Sequence, residues 1–172
     1  MYKASRGDMQ YHGLAVGGSG LKALEARLPA LLDLRPDLVS VFIGANDLAE
    51  YPSAQAYADA LRAYTDRIKA TGAKVVIATN LPQDNINVDY ASKFNRMRGE
   101  LAALLRSATW ADGVVDYAAA PEMGPDTAAR DRALYVDGVH PTDGSIGIGE
   151  GGQAKLFRLY KPVMDPLVKD WR

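Results

Sequence analysis

The sequence predicts a three-layer α/β/α fold around a parallel sheet, and three observations carry that expectation. Short continuous apolar runs alternate with segments of helical period along most of the chain. Its 172 residues suit a single core. The apolar fraction is 48% and the charged fraction 24%, which is ordinary for a folded domain and argues against disorder.

In chain order, Gln10 to Val16 is the weakest strand candidate and runs into the cluster Gly17-Gly18-Ser19-Gly20. Leu21, Leu24, Leu28, Leu31 and Leu32 then fall on one helical face. Leu38 to Ile43 is continuously apolar apart from Ser40, as expected of a strand buried on both faces. The next helix carries Tyr57, Leu61, Tyr64 and Ile68, with Ser53 suited to its N-cap. Lys74 to Thr79 reads as a strand. Phe94, Met97, Leu101, Leu104 and Leu105 mark a third helix, with Asp89 suited to its N-cap. Gly113 to Asp116 reads as the last strand. A final helix is expected from about Gly152 towards Trp171, bent or interrupted at Pro162 and Pro166. Strands alternating with helices imply crossover connections, a parallel sheet and helices on both of its faces. No linker, repeat or low-complexity tract divides the chain, so residues 1–172 read as one domain.

Composition narrows the function. Lys plus Arg number 20 against 21 Asp plus Glu, which leaves no basic excess for nucleic acid. The absence of cysteine excludes a disulfide scaffold, a zinc–cysteine site and a cysteine nucleophile. No stretch reaches the roughly 18 apolar residues of a membrane span. The polar start from Met1 to Met9 has no signal-peptide pattern, and the compartment stays open.

In parallel sheets ligands bind beyond the carboxyl ends of the strands, and four short motifs are expected there. They are Gly17-Gly18-Ser19-Gly20, Gly44-Ala45-Asn46-Asp47, Asn80-Leu81-Pro82 and Asp137-Gly138-Val139-His140-Pro141. With only two histidines in the chain, a general base is His12 or His140. A carboxylate beside an imidazole fixes its tautomer and stabilises the imidazolium, and Asp137 stands three residues before His140. The plain alternative is a surface histidine beside an acidic turn. His12 has no such partner and reads as structural or surface. The Asn46 amide can donate to an oxyanion, with a backbone N–H of the Gly17–Gly18 turn as second donor. Its alternative is an Asx turn or helix cap, the role given to Asp47. Asp116 is read as structural. The glycine cluster matches neither G-x-G-x-x-G nor G-x-x-x-x-G-K-[ST], which weighs against a nucleotide site.

These blocks, in this order, resemble the SGNH hydrolases, the GDSL-type esterases and lipases. Gly13 to Gly18 is similar to the family's glycine block, and Ala26 to Leu32 to the helix that follows it in bacterial members. Ile43-Gly44-Ala45-Asn46-Asp47 is similar to its G-x-N-D block, and Asp137 to His140 to its D-x-x-H block. The resemblance runs from Tyr11 to the C-terminus. It implies a flavodoxin-like sheet and hydrolysis of carboxylic esters through a serine acyl-enzyme, on acetylated carbohydrate, lipid or simple acyl esters. No metal and no organic cofactor are implied. His140 would be the base and then the acid, Asp137 its orienting partner, and Gly18 and Asn46 the oxyanion donors. Gly17 is the fallback if the turn is shifted by one residue.

The family's G-D-S nucleophile block has no counterpart, and the nucleophile is left unassigned. Arg6-Gly7-Asp8-Met9 has methionine where serine belongs, Ser5 lies in a polar segment, and Ser19 would displace the oxyanion donor. Asp143-Gly144-Ser145-Ile146 has no strand leading into it. In the family that block ends an interior strand, so its neighbours here would hold unpaired backbone groups at roughly 1–3 kcal/mol each. The expectation is a domain lacking its first strand. An upstream segment of a longer parent or a second chain would supply it, or the domain has rearranged and lost activity. The competing function is an inactive SGNH-like module that binds acylated glycan or a protein partner. Ser145 to Gly152, rich in glycine, reads as a lid, an acyl-pocket wall or a plain surface loop.

Overall fold

The computed structural model describes residues 9–85, 87–144 and 150–170. Within them, helix α1 (Leu21–Asp33) leads into strand β1 (Leu38–Val41) and helix α2 (Ala54–Lys69). Strand β2 (Lys74–Ala78), helix α3 (Val88–Arg106), strand β3 (Gly113–Val115) and helix α4 (Gly152–Val168) follow. The strands form one sheet in the order β1-β2-β3, with Val39 opposite Val75 and Val76 opposite Gly113. Both pairings are parallel.

Side-chain alternation in β2 defines the layers, because successive residues of a strand point to opposite faces. Val75 and Ile77 join a buried cluster with α1, α2 and α3. Val76 and Ala78 join a second cluster with α4 and residues 117–135. Helices therefore cover both faces, and the fold is the three-layer α/β arrangement that the sequence predicts. In α2, Tyr57, Leu61, Tyr64 and Ile68 are all buried, and Ser53 caps the helix by accepting the N–H of Ala56 at 3.1 Å.

Four expectations change. Residues 10–16 form no strand: they are exposed, and no described strand lies beside them to accept a ladder. The strand β1 is not buried on both faces: Ser40 is exposed and Phe42 is 50% exposed, and among the described residues β1 pairs with β2 alone. The cap of α3 is Asn87, whose Oδ1 accepts the N–H of Tyr90 at 3.0 Å, and Asp89 lies within the first turn. The helix α4 runs through Pro162 and Pro166 without interruption, both prolines lying on its exposed side. Trp171 lies outside the described residues.

The 3₁₀ turns Leu48–Glu50, Tyr117–Ala119 and Asp126–Arg130 follow β1, β3 and the β3 loop, at the sheet end where the candidate residues gather. Among the described residues, no helix is long and apolar enough to cross a membrane.

Candidate active site

The loop carrying His140 is shaped by its own carboxylate. Asp137 Oδ1 accepts the backbone N–H groups of Val139 (3.0 Å) and His140 (2.9 Å), while Oδ2 lies 2.8 Å from His140 Nδ1. The loop is closed at its base by a bridge between Tyr135 and Pro141, with Val136 N–H donating to the His140 carbonyl at 2.8 Å. Gly138 holds the left-handed φ of +87°, and a side chain there would run into the Asp84 carbonyl, so glycine is required twice over. The Asp137 carboxyl is lowered to about 2, first by the His140 backbone N–H and then by the imidazole. With the Asp137 carboxylate as acceptor, the Nδ1–H tautomer is the neutral form that makes this hydrogen bond, and in it Nε2 carries the lone pair. The His140 side chain is 76% exposed.

The second half of the site is the glycine turn and the loop after β1. Ser19 N–H donates to the Val16 carbonyl at 3.2 Å, and Gly18 sits in that turn with φ +73°. Asn46 Nδ2 donates to the Ser19 carbonyl at 3.0 Å, so the asparagine and the turn are in contact. Asp47 is buried and accepts Leu21 N–H on Oδ2 at 2.6 Å, and burial pushes its carboxyl up. It holds the loop, as the sequence suggests.

Two residues join the halves, and the sequence reading gave neither a role. Gln83, only 4% exposed, donates from Nε2 to the Ala45 carbonyl at 2.6 Å, beside Asn46. Its neighbour Asp84 donates its N–H to the Gly138 carbonyl at 2.9 Å, between Asp137 and His140. Asn80 adds a bond from Nδ2 to the Ile43 carbonyl at 2.9 Å, and Tyr90 Oη donates to Ala45 at 3.1 Å. Asn80-Leu81-Pro82 was visible as a strand end, but bonds to backbone 37 and 38 residues away leave no local pattern.

Among the described residues, no serine hydroxyl is hydrogen-bonded to His140. Ser19 Oγ accepts from Arg27 at 2.9 Å, Ser53 caps α2, and Ser107 Oγ donates to the Leu104 carbonyl at 2.9 Å. Ser5, Arg6-Gly7-Asp8 and Ser145 lie outside the described residues, as does most of the glycine-rich stretch 145–152. Its C-terminal end is tied back to Thr142: Gly152 N–H donates to Thr142 Oγ1 at 2.9 Å and Gln153 N–H to the Thr142 carbonyl at 2.8 Å. His12 is exposed. Asp116 is structural, accepting from Thr79 Oγ1 at 3.0 Å and pairing with Arg106 at 2.6 Å.

A parallel α/β sheet with a histidine–carboxylate pair and an asparagine-bearing turn beyond its strand ends is an architecture found among hydrolases. The chain belongs to the GDSL-like lipase/acylhydrolase family, whose family model matches residues 3–144. Its fold is similar to that of a GDSL-like lipase from Bacteroides thetaiotaomicron, with a TM-score of 0.68 at 19% identity over 98% of this chain and 78% of that one. It is also similar to TesA, with a TM-score of 0.64 at 24% identity over 96% of this chain and 84% of that one. A catalytic mutant of an acetylxylan esterase from Geobacillus stearothermophilus gives a TM-score of 0.56 at 21% identity, over 86% and 68% of the two chains. No curated protein matches the sequence.

Proposed function

We propose that residues 1–172 form one domain carrying the acid–base and oxyanion machinery of a serine esterase that cleaves small carboxylic esters. The observation that supports this best is the linkage of the Asp137–His140 pair to the Asn46 loop through adjacent residues, Gln83 and Asp84. In this reading a serine Oγ adds to the ester carbonyl carbon while His140 Nε2 takes its proton. The Asn46 amide and the Gly18 N–H hold the oxyanion, with Gly17 N–H as the fallback donor. The intermediate expels the alcohol, which takes the proton from His140. Water then gives a proton to His140 and adds to the acyl-enzyme carbonyl; collapse of that intermediate breaks the acyl–serine bond, His140 returns the proton to the serine oxygen, and the acid leaves.

The serine belongs on a strand paired with the outer edge of β1, supplied by a longer parent chain or a second chain. That edge has no partner among the described residues. The absence of a described serine against His140 also favours a second reading, a non-catalytic module that binds an acylated glycan or a protein.

The two separate on a chain extended at its N-terminus by a strand ending in Gly-Asp-Ser. The esterase reading expects hydrolysis of p-nitrophenyl acetate and labelling by a fluorophosphonate. His140→Ala should then lower turnover on the order of 10³-fold or more. A folded, extended protein that neither turns over nor labels would leave the binding module standing.

A further inference from the structure

A cavity of about 350 Å³ opens between the start of α3, the loop after β2 and the 3₁₀ turn Asp126–Arg130. Its lining includes Asp84, Ser92, Asn95, Arg96, Thr127 and Arg130. We propose that this cavity seats the alcohol half of the ester, and that the alcohol is a neutral, hydroxyl-rich one of the monosaccharide type. The proposal rests on the esterase reading for the word alcohol, and on the cavity alone for the chemistry of the ligand.

Position comes first. Gln83 and Asp84 line the cavity and are the same two residues that bond to Ala45 and Gly138. A β-carbon placed on Gly138 would also lie 3.5 Å from the Ala129 carbonyl, next to Arg130. The rim of the cavity is therefore shared with both the oxyanion loop and the His140 loop. In the esterase reading, a group bound there rests against the two residues that tie the oxyanion loop to the His140 loop.

Chemistry decides what fits. None of the lining side chains is a hydrocarbon, so an aliphatic acyl tail would desolvate donors and acceptors and return no hydrogen bonds. The lining carries two guanidinium groups (Arg96, Arg130), two carboxylates (Asp84, Asp126) and the Ser92 and Thr127 hydroxyls, with Arg130 Nε 3.3 Å from Asp84 Oδ2 and Asp126 paired with Arg98, so the charges there are largely balanced. An anion placed there would share the cavity with two carboxylates and a cation with two guanidinium groups, so neither charge sign is favoured. A hydroxyl both donates and accepts, so a polyol satisfies both sets.

The walls are also fixed before any ligand arrives. Asn95 accepts Gln83 N–H at 3.0 Å and returns a bond from Nδ2 to the Gln83 carbonyl at 2.7 Å. Beneath them lies Arg98, which is buried, donates to the Gly124 carbonyl at 2.8 Å and pairs with Asp126. Preformed walls reduce the ordering that binding must impose.

The test uses the chain as it stands and requires no turnover. Backbone amide resonances are followed while methyl glucoside, hexanoate and inorganic phosphate are titrated separately. The glucoside should give saturable shifts at residues 83–84, 92–96 and 126–130. Arg96→Ala and Thr127→Val, both exposed positions, should each weaken that binding at least about fivefold. Three outcomes overturn the proposal: no saturable shift with the glucoside, hexanoate or phosphate binding there as well or better, or glucoside binding indifferent to both substitutions. The esterase reading fails separately, since sugar binding needs no serine and turnover of p-nitrophenyl acetate needs no sugar.

Discussion

Asp137 does three things with one carboxylate: it turns the loop, orients the imidazole and carries the charge that an imidazolium would need. Its folded value of about 2, against an ordinary 3.8, gives this a pH signature. A carboxylate whose pKa falls on folding stabilises the native state above its unfolded value, and that contribution is lost as pH falls through the folded value. Asp137→Asn should therefore be less stable than the parent chain above about pH 4, with the gap closing by about pH 2. Because the pair is largely solvent-exposed, the gap is expected to be small. Thermal melts of both proteins across that range check it. A gap that is constant with pH would mean that the Asp137 charge contributes nothing to the loop.

Among the elements, α1 has the most unusual anchorage. It begins after Gly20, which offers no side-chain cap, and its first turn holds no acidic residue. Asp47, from the loop after β1, supplies the missing acceptor by taking Leu21 N–H, and Tyr57 Oη donates weakly to its other oxygen at 3.4 Å. A β-carbon on Gly20 would lie 2.5 Å from that carboxylate, so the small residue is needed for the approach. Asp47→Ala should cost roughly 1–3 kcal/mol by leaving a buried N–H unpaired, whereas Asp47→Asn, which keeps an acceptor, should cost less. Urea unfolding of the two variants measures the difference, and equal losses would remove the hydrogen bond as the cause. This anchorage also marks where sequence reasoning stops. The faces of α1, α2 and α3 were legible because burial repeats every three or four residues, and the D-x-x-H pair because its partners are neighbours in the chain. Asn87 displaced Asp89 as a cap by two positions, a choice settled by which side chain reaches the Tyr90 N–H. Gln83 was not legible at all, since its partner is a carbonyl in a different loop.

At the scale of the molecule, the apolar run Leu38 to Ile43 has the composition of an interior strand and the position of an edge. Apolar content showed that the run forms a strand. It could not show how many partners the strand has, because that depends on residues far away in the chain or outside it. The consequence is physical: β1 keeps one row of backbone donors and acceptors unpaired among the described residues, next to the half-exposed ring of Phe42. Such an edge is a template for another strand. The chain alone is therefore expected to associate as its concentration rises. Ser40→Lys, which places a charge at an exposed position in the middle of β1, should shift that association to higher concentration. An N-terminal strand that pairs with β1 should suppress association as well, but it alone should also bring fluorophosphonate labelling. Sedimentation velocity over a concentration series, run beside the labelling assay, separates the effects. If the parent chain stays monomeric throughout, the free edge is not a docking site. If the added strand suppresses association without labelling, the edge is real and the serine must be sought elsewhere.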